Sequence, residues 1–288
     1  MKASLLSICY ILVLFTGSSF QQKDDWTYLL DKNLSKWNIY QSFRHKLGYK
    51  GEAPKDENGI LIKPIGYNVN LDKVFTVTEE NGEPVLHIDG DIYGCLFTKQ
   101  DFGNYDLKLR VKWGTKKYVP RVNEPKDSGV LYHSQGECGV EYWRTWMLSQ
   151  EFQVTEAGMG DYWSQASSRS DVKAVKRGND YFFDNNGTLT AFGSGTGNGG
   201  FCHAGIDAEN KDGWNDLELI TYGDKCIRIV NGKVVMALSK SRYIVNGEEK
   251  PLVKGKIQIQ SESAEVFYKD IKIKSISGIP AEYEAYFK

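Results

Sequence analysis

Residues Leu107 to Trp113 read Leu-Lys-Leu-Arg-Val-Lys-Trp, a strict alternation of apolar and charged side chains. A period of two places Leu107, Leu109 and Val111 on one face and the three cations on the other, the pattern of a strand with one wet side. The same period recurs in Ile257-Gln-Ile-Gln260 and in Glu151-Phe-Gln-Val154. Short runs rich in β-branched or aromatic residues also cover Val74–Thr78, Val85–Ile88, Gly94–Thr98, Gly129–His133, Leu217–Tyr222, Cys226–Val230, Val234–Leu238 and Val266–Ile273. Asn231-Gly232 between two of them predicts a type I′ hairpin. Only the short tail from Pro280 hints at a helical period. Many short strands separated by turn residues predict a sandwich, jelly roll or barrel. Residues 41–70 and 157–200 are polar and Gly-rich, and are expected to form long rim loops. The run Gly193–Gly200 lacks the Gly-Lys-Ser/Thr ending of a phosphate loop and reads as a plain loop.

The first nineteen residues have a basic start at Lys2, an apolar run from Leu5 to Phe15, and Gly17 and Ser19 near a cleavage point. This is the pattern of a secretory signal peptide, too short to span a bilayer. Residues 20–288 are expected to form one jelly-roll domain, periplasmic or secreted. The formal charge of the 288-residue chain is −1 with both signs mixed, which excludes a basic nucleic-acid footprint or a polybasic membrane segment. No later run is long and apolar enough for a membrane span. Cys95, Cys138, Cys202 and Cys226 show no CxxC spacing and read mostly as buried small hydrophobes, with one disulfide open.

The stretch Trp146–Trp163 (WMLSQEFQVTEAGMGDYW) concentrates the chemistry. Glu151 and Gln153 share the wet face of a strand, Asp161 follows in a loop, and Trp146 and Trp163 bracket them. Carboxylates supply proton transfer, and indole rings stack on sugar C–H faces. An ordinary solvent-facing strand with two core tryptophans would look similar. Glu156 joins the face only if a bulge shifts the period after Val154; otherwise it is a rim residue.

An ordered set of segments then becomes specific: Trp26–Trp37 (WTYLLDKNLSKW), Asp127–His133 (DSGVLYH), Ser149–Val154 (SQEFQV), Gly160–Trp163 (GDYW), Gly213–Asp216 (GWND), Val230–Val234 (VNGKV), Lys254–Ser261 (KGKIQIQS) and Val266–Ile271 (VFYKDI). From about Trp26 to Ile276 this succession resembles a bacterial family described as 3-keto-glucoside 1,2-lyase / 3-keto-2-hydroxy-glucal hydratase, or 3-keto-disaccharide hydrolase. The resemblance implies a concanavalin A-like jelly-roll sandwich of two antiparallel sheets with the ligand on the concave face. The fold is similar to that of laminarinase-type glucanases, whose catalytic strand reads Glu-x-Asp-x-x-Glu. Here Gln153 stands at the Asp position of Glu151–Glu156, which breaks the acidic cluster that ordinary retaining hydrolysis uses.

The implied reaction needs a base near C2, an acid near the C1 oxygen and a group that stabilises the enolate oxygen. Glu151, His133 and Glu156 are the catalytic candidates. Gln153, Trp146, Asp161, Trp163 and Arg242 are the candidates for substrate binding, Arg242 as an oxyanion partner. His133 is expected on the face of Gly129 and Leu131; His203 is a weaker candidate. A divalent ion, either a structural calcium or a catalytic ion held by His133, Glu151, Glu156 and Asp161, remains open. The expected substrate is an oxidised glucoside or disaccharide made by a separate sugar 3-dehydrogenase. A non-catalytic lectin-like module and a conventional glycoside hydrolase are the alternatives.

Overall fold

The structure, a computed structural model, describes residues 25–48 and 52–288. The expected leader at residues 1–19 lies outside them. Leu107, Leu109 and Val111 point into the core while Lys108 and Arg110 face outward, where they pair with Glu218 and Asp216 on the adjacent strand. That alternation repeats across an antiparallel sheet of twelve strands, with Tyr105–Lys117 between Asn215–Tyr222 and Ala264–Ser275. A second antiparallel sheet of eight strands packs on it. Its order runs Phe201–Cys202, Tyr162–Gln165, Leu148–Thr155, Asp127–Gln135, Lys256–Ser261, Gly94–Thr98, Trp37–Gln41 and Gly66–Tyr67. The protein is therefore a two-sheet antiparallel jelly-roll sandwich, as its strand patterning predicts.

Phe152, Val154, Ile257 and Ile259 come from the eight-stranded sheet and meet Leu219, Ile227, Val266 and Tyr268 from the other. Fully burying each such aliphatic or aromatic side chain contributes roughly 1.5–3 kcal/mol. The opposite face of the smaller sheet carries a second apolar cluster of Leu131, Phe97, Tyr93, Trp143, Trp146 and Met147. The segment 136–147 folds over that face and covers half of it. The other half, toward Trp163 and Phe201, stays open.

Asn231 and Gly232 both take positive φ (50° and 75°), the conformation a type I′ turn requires. The rim loop expected over 157–200 is instead largely strand: Tyr162–Gln165, Ser168–Arg177, Asp180–Phe183 and Thr188–Gly193. These strands have small or polar inward residues, such as Ser168, Ser170 and Ala174, so composition hid their period. The tail from Pro280 is a 3-10 helix, Ala281–Phe287. All four described cysteines are free and buried; the Cys95 and Cys138 Sγ atoms lie 3.9 Å apart. Among the described residues no helix is long and apolar enough to cross a membrane.

Candidate active site

The open half of the smaller sheet forms a cleft of about 380 Å³, within the range of small-molecule sites. Its floor is set by strand register. Glu151 pairs across to Leu131 on one side and Trp163 on the other, and Gln153 lies opposite Gly129. Phe152 and Val154 point into the core, so Glu151, Gln153 and Thr155 all face the cleft. Trp163 is 41 % exposed and tilts against Phe201 with centroids 4.6 Å apart, a free platform for a sugar ring. Tyr142 and the buried Trp146 form the opposing wall.

Five residues that the sequence reading does not single out complete the floor. Asp127 and Glu262 both accept from Arg121 Nη1, at 2.6 and 3.0 Å. Gln153 Nε2 donates to Asp127 Oδ1 at 2.6 Å. Gln260 reaches over Gly129 toward the Glu151 carboxyl, and Gln165 Nε2 donates to Glu151 Oε2. The acidic cluster that Gln153 seemed to interrupt is thus rebuilt across strands, with Asp127 supplied by the neighbour. Gln153 Oε1 is a buried acceptor without a hydrogen-bond partner among the described residues, a group that a hydroxylated ligand would satisfy.

Asp127 and Glu262 share the Arg121 guanidinium, Glu151 feels the charges of Asp127 and of the buried Arg228, and the electrostatics follow. Burial, then the charge of Asp127, pushes the Glu151 carboxyl up to about 8. Burial raises Asp127 to about 7 against the pull of Arg121. Glu262 is held well above the usual carboxylate range by burial and by Asp127. Burial works against the Arg121 cation, but Glu262 and Asp127 outweigh it and raise its pKa. Burial therefore favours the protonated form of this cluster, and a protonated Glu151 carboxyl has a proton to give.

Glu151, Gln153, Trp146, Asp161 and Trp163 all line the one cleft. Three candidates are not. His133 sits at a bulge between Tyr132 and Gln135 with φ 52°, which turns its ring away from the face of Gly129 and Leu131. It is buried against Tyr105 and Tyr132, its Nδ1 3.0 Å from the Leu252 carbonyl, and burial depresses it to about 4. Glu156 lies on the rim because the strand continues through Thr155 without a bulge. Its carboxylate accepts the Lys126 backbone N–H and pairs with the Lys126 ammonium. Arg242 belongs to the other sheet, bound to Asp171 and Glu249.

The proposed metal set therefore does not converge, since His133 and Glu156 lie outside the cleft. Among the described residues, His87, Asp89 and Glu265 offer ligand atoms within 4.8 Å of one another on the other sheet. The Lys116 ammonium already sits 2.6 Å from Asp89 and 3.5 Å from Glu265, so this cluster has its cation.

The cleft leaves no room at Gly129. A Cβ there would come within 2.3 Å of Gln260 Oε1 and 2.5 Å of Glu151 Oε1. Both are ends of flexible side chains, so the fold can give way but the carboxyl must move. Gly129→Ala should cost only a few degrees of melting temperature yet lower turnover by about tenfold or more, because a misplacement of ~1 Å is catalytically expensive. Wild-type kinetics in this variant would show that the position of Glu151 is immaterial.

An aromatic platform beside buried, proton-retaining carboxyls on a jelly-roll sheet is the kind of site a carbohydrate-active enzyme uses. The chain belongs to the 3-keto-alpha-glucoside-1,2-lyase-like domain family, whose profile matches residues 25–274. Among solved structures it is similar to a candidate glycosyl hydrolase from Parabacteroides distasonis, with 16% identity, 87% of this chain and 99% of that chain covered, and a TM-score of 0.45. A Bacillus subtilis protein of unknown function with a galectin-like fold is 10% identical over 87% of this chain and 94% of its own, with a TM-score of 0.45. A Bacillus licheniformis β-glucanase is 12% identical over 69% of this chain and 82% of its own, with a TM-score of 0.35. No curated protein matches the chain.

Proposed function

We propose that the cleft cleaves 3-keto-glucosides by elimination followed by hydration. The observation that carries this reading is the buried Glu151 carboxyl beside the Asp127–Arg121–Glu262 group, next to an exposed tryptophan. A ketone at C3 acidifies the C2 proton. Its removal sends the C–H electron pair into a C2–C3 double bond and the carbonyl pair onto oxygen. The enolate collapses, C1–C2 becomes a double bond, and the C1–O bond breaks as the leaving oxygen takes a proton. Water then adds at C1 and a proton returns to C2, which gives net hydrolysis. Glu151, protonated near neutral pH, suits donation to the leaving oxygen. Arg121 suits the enolate oxygen, where charge develops. A retaining hydrolase would instead need an ionised nucleophile beside the acid. An enzyme that oxidises glucosides at C3 must supply the substrate, and the Met1–Ser19 leader suits export.

The test is release of 4-nitrophenol from both anomers of 4-nitrophenyl 3-keto-glucoside and of 4-nitrophenyl glucoside. Only the keto sugars should react, because the unoxidised ones lack an acidified C2 proton. Similar rates on both kinds would indicate direct hydrolysis. Saturable sugar binding without turnover would indicate a lectin-like module.

A further inference from the structure

A second proton-handling group, His203, stands at the edge of the cleft against Asp161 and Phe201, both of which line it. The Tyr162–Gln165 and Phe201–Cys202 strands pair Tyr162 with Cys202 and Trp163 with Phe201, so the same register sets Asp161 opposite His203. Asp161 is buried and lines the cleft with Trp163 and Phe201. Its Oδ1 accepts the Ala204 N–H at 2.7 Å, and its Oδ2 lies 3.2 Å from His203 Nδ1. Behind it, the fully buried Arg228 donates to the Asp161 carbonyl at 2.6 Å, which fixes the turn that carries the carboxylate.

Two aromatic rings and the backbone hold the imidazole in place. Its ring lies flat on Phe182, with centroids 4.6 Å apart at 18°, and edge-on to Phe201 at 4.5 Å and 83°. The His203 N–H donates to the Tyr181 carbonyl, and the His203 carbonyl accepts the Phe183 N–H, each at 2.8 Å. The side chain nonetheless keeps 34 % exposure. A carboxylate can only accept, so Asp161 selects the tautomer with the proton on Nδ1 and leaves the Nε2 lone pair free to take another. His203 follows the Phe201–Cys202 strand, two strand spacings or roughly 10 Å across the sheet from the strand of Glu151, and its row is that of Asp161 and Gln153, next to the Glu151–Trp163–Phe201 row. A sugar ring seated on Trp163 would therefore have Glu151 on one side and the Asp161–His203 pair on the other.

We propose that His203, oriented by Asp161, takes the C2 proton, while Glu151 protonates the leaving oxygen from the opposite side. The electrons follow the elimination described above, and the imidazolium returns its proton to C2 when water adds. This assignment rests on the elimination reading. Asp161 is a positioning residue in it.

The experiment uses the full chain and both anomers of 4-nitrophenyl 3-keto-glucoside. His203→Ala should lower kcat by about 10²–10⁴-fold with KM within about threefold, and imidazole added to the buffer should restore at least tenfold. If that variant does not fold, His203→Gln should show the same loss of kcat with a near-native melting temperature. Asp161→Asn should lower kcat less than His203→Ala and gain nothing from imidazole. Unchanged kcat with a raised KM, or a loss that imidazole does not restore in folded His203→Ala, would overturn the assignment alone. A wild-type protein silent on both anomers would overturn the elimination reading and this assignment with it.

Discussion

Glu151→Gln should lower turnover of a 3-keto-glucoside by about 10²-fold or more while KM changes by only a few-fold. The substitution keeps the shape of the side chain, and an amide oxygen can still accept the hydrogen bond from Gln165 Nε2. What it removes is the transferable proton. Because Glu151 faces the cleft between Gln260 and Trp163, its loss should fall on kcat rather than on binding. Steady-state constants for wild type and variant, measured with the chromogenic 3-keto sugar, decide the matter. Equal kcat would remove Glu151 from the chemistry and leave Asp127 and Glu262 as the carboxyls to test. A large rise in KM with kcat intact would make Glu151 a binding group.

The strands that alternate in sequence are those that alternate in the fold. Leu107–Trp113 and Glu151–Val154 could be read because each needs only its own residues to announce a face. Glu151, Gln153 and Trp163 were legible for that reason. His133 failed because a bulge inverts its face, and nothing local in Leu-Tyr-His-Ser announces a left-handed residue. Gln260 and Glu262 continue the two-residue step of Gln258 and stand on the cleft side, so a signal for them existed. Asp127 entered only as the head of a recognised segment. Its partnership with Gln153 depends on the register between two strands, which no single stretch encodes. Arg121 lies in a loop outside any periodic run and becomes meaningful only once its two acids are in place. His203 was the weaker of two histidine candidates because the Asp161 contact crosses between strands forty residues apart.

The same electrostatics predict an unusual pH dependence of stability. Glu151 has a folded pKa of about 8 against an ordinary 4.5, so the folded state holds its proton more tightly than the unfolded chain. A raised carboxyl contributes stability that is fully present below about pH 4.5 and is lost as pH rises through about 8. Asp127 adds the same trend between its ordinary 3.8 and about 7. Wild-type melting temperature should therefore fall from pH 5 to pH 9, because rising pH forces charge into a buried cluster whose desolvation outweighs the pull of Arg121 and Arg228. Glu151→Gln has no proton to lose there. At pH 5 it should melt close to wild type, and at pH 9 it should be the more stable protein by on the order of 3 kcal/mol, allowing for coupling among the three carboxyls. For a chain of this size that is a gain of roughly 5–10 °C. Melting curves of both proteins across this range test the protonation state without any substrate. Parallel curves would mean that Glu151 is already ionised in the folded protein at neutral pH, and its role as the acid would fall with that result.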